Sequence, residues 1–286
     1  MSRWKERRQR FRALLSGRRC LHPASVFDPV SARIAEDLGF EAGMFAGSTA
    51  SLSVLGAPDV IVLTLSELAG QAHRICRAAS LPLLVDADHG YGNALNVMRT
   101  VEALEVAGVA GLSIEDTLLP GAHGGGGETR LVTIDEGVGK IRAAIEARRD
   151  PALAIAGRTS ACMVTGVEDA IARAKAYAAA GSDAIFLVGV GSPGQLDAIA
   201  EAVSLPLIVG NIDPSMADPE YLAGRGVRLC LQGHQPFAAA VEAVYRTMKA
   251  LKDGVPPGQL ENIADGELMA RVMRRDDYER WAKEFL

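Results

Sequence analysis

The chain has 286 residues, 30 basic against 35 acidic side chains, a formal charge of −5, 49% hydrophobic residues and 5% aromatic ones. High apolar content with low net charge excludes disorder, and no apolar run approaches the ~18–20 residues that a bilayer span needs. The acidic balance and scarce aromatics exclude a nucleic-acid binder, which calls for basic surface and stacking platforms.

The basic N-terminus (Arg3, Lys5, Arg7, Arg8, Arg10, Arg12) lacks the apolar stretch and small-residue cleavage site of a targeting peptide. Trp4, Phe11, Leu14 and Leu15 stand at helical spacing and predict a short amphipathic helix over about 3–16 with a solvated basic face. Short apolar runs follow along nearly the whole chain: Cys20–Ala24, Gly43–Gly47, Leu81–Ala87, Ala110–Glu115, Ala152–Arg158, Ala184–Val188, Leu205–Gly210 and Val227–Gly233. Each is too short for a helix and rich in Val, Ile and Leu, as buried parallel strands are. Amphipathic segments alternate with them, such as Leu95, Met98, Val101 and Leu104. Gly39, Gly108, Gly181 and Gly226 each fall between a helical stretch and a strand, where a helix C-terminus favours φ > 0.

This rhythm predicts an α/β fold, a (β/α)8 barrel of the TIM type formed by residues 1–286 as one unit. A doubly wound open sheet is the alternative, although no Gly-x-Gly-x-x-Gly follows the first strand. Beyond Lys252, Pro256-Pro257 make an extended spacer before a polar, partly helical arm over about 254–286. Cys20, Cys76, Cys162 and Cys230 lie far apart with no Cys-x-x-Cys pair, which reads as reduced thiols in a cytoplasmic protein.

Polar residues at strand C-termini are a barrel's catalytic candidates. The third run ends Asp86-Ala87-Asp88-His89-Gly90-Tyr91-Gly92-Asn93. Alternation places Asp86 and Asp88 on one face, with His89 on the other. The next strand ends Ile114-Glu115-Asp116, and Glu115 can reach the same cluster. Three converging carboxylates suit a hard divalent cation, Mg2+ or Mn2+; the alternative is that they cap the helices that follow. Arg158 ends the fifth run, facing these acids, and reads as a binder of an anionic substrate, as a structural salt bridge with Glu115, or as both, since the two roles are not exclusive. Ser48, in a Gly-Ser turn after the second run, offers a hydroxyl and backbone N–H groups to an anion. His234, after the eighth, is either a carboxylate donor or a structural histidine. Thr117–Leu131 carries four consecutive glycines, Gly124 to Gly127, and reads as a mobile lid or a plain loop.

The string Asp86-Ala87-Asp88-His89-Gly90-Tyr91-Gly92-Asn93, followed by Ile114-Glu115-Asp116 and Arg158, resembles the isocitrate lyase/phosphoenolpyruvate mutase superfamily over about Phe11 to Lys252. Within it, Ala24–Pro29, Gly92–Thr100 and Ile114–Pro120 are most similar to the bacterial oxaloacetate decarboxylases. The resemblance implies Mg2+-dependent decarboxylation of oxaloacetate to pyruvate and CO2 through a metal-stabilised enolate. It implies Asp86 as direct metal ligand, Asp88 and Glu115 acting through metal-bound water, Arg158 as catalytic and substrate-binding, and Ser48 and His234 as substrate contacts. It also implies a homotetramer whose C-terminal helices exchange between subunits, Leu268, Val272, Tyr278, Trp281 and Phe285 finding cover on a neighbour.

Three departures stand out. Thr117–Leu131 lacks the cysteine that the superfamily's lyases use, leaving only His123, Glu128 and Arg130 as acid–base groups there. Val188 stands where some relatives carry His, and Asn211 where the decarboxylases place Tyr. The alternatives are therefore a C–C lyase for a 2-methylisocitrate-like or other 2-hydroxy acid, a phosphonopyruvate-processing enzyme, or a barrel that only binds a keto acid.

Overall fold

A computed structural model describes residues 3–121 and 129–286. Eight strands run in chain order: β1 (Ala24–Ser25), β2 (Gly43–Phe45), β3 (Leu83–Asp86), β4 (Gly111–Glu115), β5 (Ala154–Thr159), β6 (Ala184–Val188), β7 (Leu207–Gly210) and β8 (Val227–Cys230). Each pairs parallel with the next, without reversal of order. A parallel bridge between Leu21 and Leu229 closes the ring, with Leu21 N–H donating to the Arg228 carbonyl at 2.9 Å and Cys230 N–H to the Leu21 carbonyl at 2.8 Å. The TIM-type barrel is the outcome, and a doubly wound sheet is excluded.

The first strand differs from the expected Cys20–Ala24. It is Ala24–Ser25, preceded by the isolated bridge at Leu21. Pro23 lies between the two and has no N–H to give the ladder, so pairing is interrupted there. The four glycines before strands take φ of 81°, 93°, 104° and 78° at Gly39, Gly108, Gly181 and Gly226, as the helix-end reading requires.

Side chains alternate between two apolar layers. Leu83, Val85, Leu112 and Ile155 pack outward against the helices, whereas Met44, Leu84, Ala156 and Phe186 fill the barrel. The same parity carries Asp86 inward with Leu84, and Arg158 inward with Ala156. Register then sets Asp86 opposite Ser113 and Glu115 opposite Arg158. The layer that stabilises the barrel thus also aims the acids at its mouth.

The N-terminal helix, Arg3–Ser16, forms where expected, but only part of its basic face is solvated: Lys5 and Arg10 are exposed. Arg7 and Arg8 are 4% and 5% exposed. Phe11 is fully buried among the barrel's interior residues, and a Cβ on Gly111 would lie 2.6 Å from its ring, so only glycine allows this approach. Arg8 Nε donates to the Val109 carbonyl at 3.0 Å and Nη1 pairs with Asp150 at 2.8 Å. Arg12 pairs with Asp183 at 2.8 Å and donates to the Leu153 carbonyl at 3.0 Å. Turns entering the strands present carbonyls that need donors, and guanidinium forks supply several at once. The helix therefore plugs the end of the barrel away from the acids. Phe11→Ala should lower unfolding stability by about 3–5 kcal/mol in urea titrations. A loss under about 1 kcal/mol would contradict the plug.

Toward the C-terminus, the helix Gln235–Lys252 buries none of its side chains, and Val241, Val244, Tyr245 and Met248 are exposed. The arm forms the helices Gly266–Met273 and Arg275–Phe285. The first docks on the chain's own helix Pro29–Asp37: Arg33 donates to the Val272 carbonyl at 2.9 Å, and Arg274 pairs with Asp37 at 2.7 Å. Val272, expected to need a neighbour's cover, is thus buried within its own chain. Tyr278, Trp281 and Phe285 stay exposed. The four cysteines are unpaired, and among the described residues no helix is long and apolar enough to cross a membrane.

Candidate active site

The C-terminal ends of the strands open into a cavity of about 1000 Å³. Asp86, Asp88, Glu115, Arg158, Ser48 and His234 all line it. Every site residue expected from strand-end position is therefore brought to one place. Asp86, Asp88 and Glu115 are 7%, 9% and 6% exposed.

Arg158 forks between two of the acids. Nη1 donates to Asp86 Oδ2 and Nη2 pairs with Glu115 Oε2 at 3.2 Å. The guanidinium carbon sits 5.3 Å from the Phe186 ring centroid, which walls the same cavity. Asp86 Oδ1 accepts from the buried Ser113 hydroxyl at 3.1 Å and from the Asp88 N–H at 3.3 Å. Burial alone would weaken the guanidinium's hold on its proton, yet Asp86 and Glu115 keep it firmly charged. The salt bridge left open by the sequence exists, and it leaves the guanidinium on the cavity wall.

Asp88 is the uncompensated member. Among the described residues it makes no salt bridge. Burial, then the charges of Asp86, Glu115 and Asp59, push its carboxyl well above the usual range against a weaker pull from Arg158. Glu115 is pushed up to about 7, by burial and by Asp86 against the opposing pull of Arg158. Two neighbouring features hold Asp88 in place. Its backbone takes φ 48°, and a Cβ on Gly47, the first residue of the helix Gly47–Ala50 that follows β2, would come within 2.5 Å of its Oδ1, so that position must be glycine to admit it. A non-glycine residue in the left-handed region costs about 1–3 kcal/mol and persists only when its surroundings enforce it.

Ser48 lies half-buried in the short helix Gly47–Ala50 that follows β2. His234 shares a hydrogen bond with the Ser25 hydroxyl at 2.8 Å, and burial lowers its affinity for a proton. With Nδ1 taken by Ser25, Nε2 is the ring nitrogen left for a ligand. His89 is buried and does not line the cavity, and its Nδ1 finds no hydrogen-bond partner among the described residues.

Asp59 is the residue that sequence reasoning missed. It lies in the segment between the Ser51–Leu55 turn and the helix Leu65–Ala78, lines the cavity, and has its carboxyl raised by burial and by Asp86. No strand ends there, and Pro58-Asp59 reads as an ordinary turn. Asp116, beside Glu115, faces away and is held by Arg173 at 3.0 Å and Tyr177 at 2.7 Å. It is structural. Val188, Asn211 and Ile212 form part of the wall. The stem of the expected lid is a short antiparallel pairing, Thr117 with Leu131, while its glycines Gly124–Gly127 lie outside the described residues.

Among the described residues no group of three or more His, Cys, Asp or Glu is arranged as a finished metal cage. The donors present are nonetheless all carboxylate oxygens. Asp88 is a buried carboxylate pressed by like charges, with no cation of its own. That chemistry fits Mg2+, which keeps several waters and takes only one or two protein carboxylates directly.

Residues 11–252 match the phosphoenolpyruvate phosphomutase family. An oxaloacetate decarboxylase of Bradyrhizobium sp. strain BTAi1 is 56% identical over 283 residues, spanning 99% of this chain and 98% of its own. One from Rhodopseudomonas palustris strain BisA53 is 56% identical over 285 residues, with the same coverage. Among solved structures, a phosphonopyruvate hydrolase in complex with oxalate and Mg2+ superimposes with a TM-score of 0.87 at 26% identity, over 98% of this chain and 99% of its own.

Proposed function

Because the chain belongs to the phosphoenolpyruvate phosphomutase family, we propose that it decarboxylates oxaloacetate to pyruvate and CO2 at this barrel mouth. The observation that carries the reading is the Arg158 fork between Asp86 and Glu115 on the cavity wall, beside the uncompensated Asp88. Asp86 would hold Mg2+, or Mn2+ in its place, directly, with Asp88 and Glu115 acting through water, and the cation would supply Lewis acidity toward the keto acid.

The protein's own part follows from charge. Ser48 and the half-buried His234 hold the substrate's carboxylates. The C3–C4 bond breaks as CO2 leaves, and its electron pair passes into an enolate across C2 and C3. Arg158 faces that developing charge with a fixed guanidinium, which needs no reorganisation as the reaction proceeds. The apolar wall of Phe186, Ile212 and Leu231 keeps water from screening the interaction. A proton then reaches C3 and gives pyruvate. No strong general base is required, in keeping with a 117–131 segment that has no cysteine.

The deciding assay follows pyruvate and CO2 from oxaloacetate, with and without Mg2+, above the spontaneous background of the metal alone. Turnover of a 2-methylisocitrate-like acid or of phosphonopyruvate in preference to oxaloacetate would replace this reading by a lyase or phosphonate chemistry. Binding without turnover would make the barrel a keto-acid carrier.

The acting form is a homotetramer of single-barrel units, each with its N-terminal helix and C-terminal arm, working in the cytoplasm. Support comes from the unburied faces of Gln235–Lys252 and Arg275–Phe285, which need a neighbour's cover, and from the unpaired cysteines. Truncation after Gly254 should lower the mass seen by light scattering. An unchanged mass would reject exchange of the arm.

A further inference from the structure

The loop that carries Asp88 is built against its own preferences. Asp88, Gly90, Tyr91 and Gly92 take φ of 48°, 80°, 61° and 145°. Three consecutive carbonyls of this loop are each gripped by a donor from a different element. The Glu115 N–H of β4 donates to the Asp88 carbonyl at 2.8 Å. Lys140 Nζ, from the helix Ile134–Ala147, donates to the His89 carbonyl at 3.0 Å. The Thr100 hydroxyl, from the helix Ala94–Ala107, donates to the Gly90 carbonyl at 3.0 Å.

Two of these donors are out of place for ordinary packing. Lys140 stands on the stripe Gly137, Lys140, Ile141 and Ala144, the buried face of its helix, and is 3% exposed. An ammonium is rarely buried so fully unless paired, and among the described residues Lys140 has no salt bridge. Its hydrogen bond is to one backbone carbonyl. Thr100 is completely buried, and its hydroxyl serves the next carbonyl along.

We propose that Lys140 and Thr100 are positioning residues that clamp the 88–92 loop and so fix the Asp88 carboxylate in the cavity. This rests on the reading of Asp88 as a carboxylate of the Mg2+ site. A folded barrel needs no buried ammonium at that carbonyl, whereas a site whose donors must stand still does: outer partners of metal-site residues typically change metal affinity 10–100-fold when removed. Neither residue touches the cavity, so both act through the loop.

The test compares wild type with Lys140→Met, Thr100→Val and Thr100→Ser. Four quantities are read: Mg2+ affinity by calorimetry without substrate, kcat and KM for oxaloacetate at saturating Mg2+, and amide hydrogen exchange over residues 88–92. Lys140→Met and Thr100→Val should each weaken Mg2+ binding about tenfold or more and speed exchange in the loop, with KM nearly unchanged. Thr100→Ser, which keeps the hydroxyl, should restore both. If Mg2+ affinity and kcat stay within about twofold of wild type while only the melting temperature falls, the contacts are merely structural and the proposal is overturned. Should Lys140→Met fail to fold, the Thr100 pair decides, since it exchanges a single hydroxyl for a methyl. A wild type that binds no Mg2+ would refute the metal-site reading itself, an outcome seen before any variant is made. The exchange arm then judges the clamp, and unchanged exchange in the variants overturns it.

Discussion

Asp86→Ala should abolish nearly all Mg2+-dependent oxaloacetate decarboxylation, a loss of about 10³-fold or ~4 kcal/mol of transition-state stabilisation, while the barrel stays folded. Asp86 is the acid with three partners at the site. It accepts from Arg158, from the Ser113 hydroxyl and from the Asp88 N–H. Removing it takes away the direct metal oxygen in our reading and one half of the Arg158 fork. The fold has reason to tolerate the change. Arg158 keeps Glu115 at 3.2 Å, so no buried charge is orphaned, and the raised carboxyl of Asp88 loses its strongest repelling neighbour. Initial rates of pyruvate formation, measured beside a thermal melt, decide the matter. Near wild-type activity would show that the metal oxygen lies elsewhere.

Arg158→Lys should lower kcat/KM for oxaloacetate by more than about tenfold, or ~1.4 kcal/mol, although the charge is kept. A guanidinium reaches Asp86 and Glu115 with separate nitrogens while its carbon stays over the Phe186 ring. A lysine offers a single nitrogen on a flexible stem, and must leave one carboxylate or the enolate without its donor. The sequence left open whether Arg158 meets substrate or makes a salt bridge; the geometry has it do the second while exposed to the first. The two roles separate in the measurement. A fall in kcat/KM with the melting temperature nearly unchanged supports the catalytic role, and an unchanged kcat/KM with a lowered melt assigns Arg158 to the fold alone.

Why Asp86, Glu115 and Arg158 were readable from the sequence is a matter of parity, whereas Asp88, past the end of β3 at φ 48°, is brought to the cavity by its loop and not by strand alternation. A buried strand alternates strictly, so polar residues at its C-terminal end have a known direction once the fold class is known. Ser48 and His234, three and four residues beyond the ends of β2 and β8, were readable only as polar residues following strand ends, where the mouth of a barrel lies. Asp59 was not, because its direction comes from an irregular segment with Ile61 at φ 60°, for which no periodicity exists. Lys140 left a trace that could have been followed, a charge on the buried stripe of an amphipathic helix. The basic N-terminal helix misled because arginines at helical spacing look alike whether they meet water or carbonyls. Only the long-range partners, Val109, Leu153, Asp150 and Asp183, distinguish the two, and no local pattern reports them.

That plug also sets a timetable. Arg12 is made early, yet its partner Asp183 follows 171 residues later. At ~5–20 residues per second, the ribosome delivers Asp183 roughly ten to thirty seconds after Arg12. Until then Phe11, Leu14 and Leu15 have no barrel to enter, and a helix translated before every strand must be among the last elements to dock. Nascent chains halted before β6 should therefore expose this helix to proteases and to chaperones that bind apolar segments, and chains released with β8 complete should not.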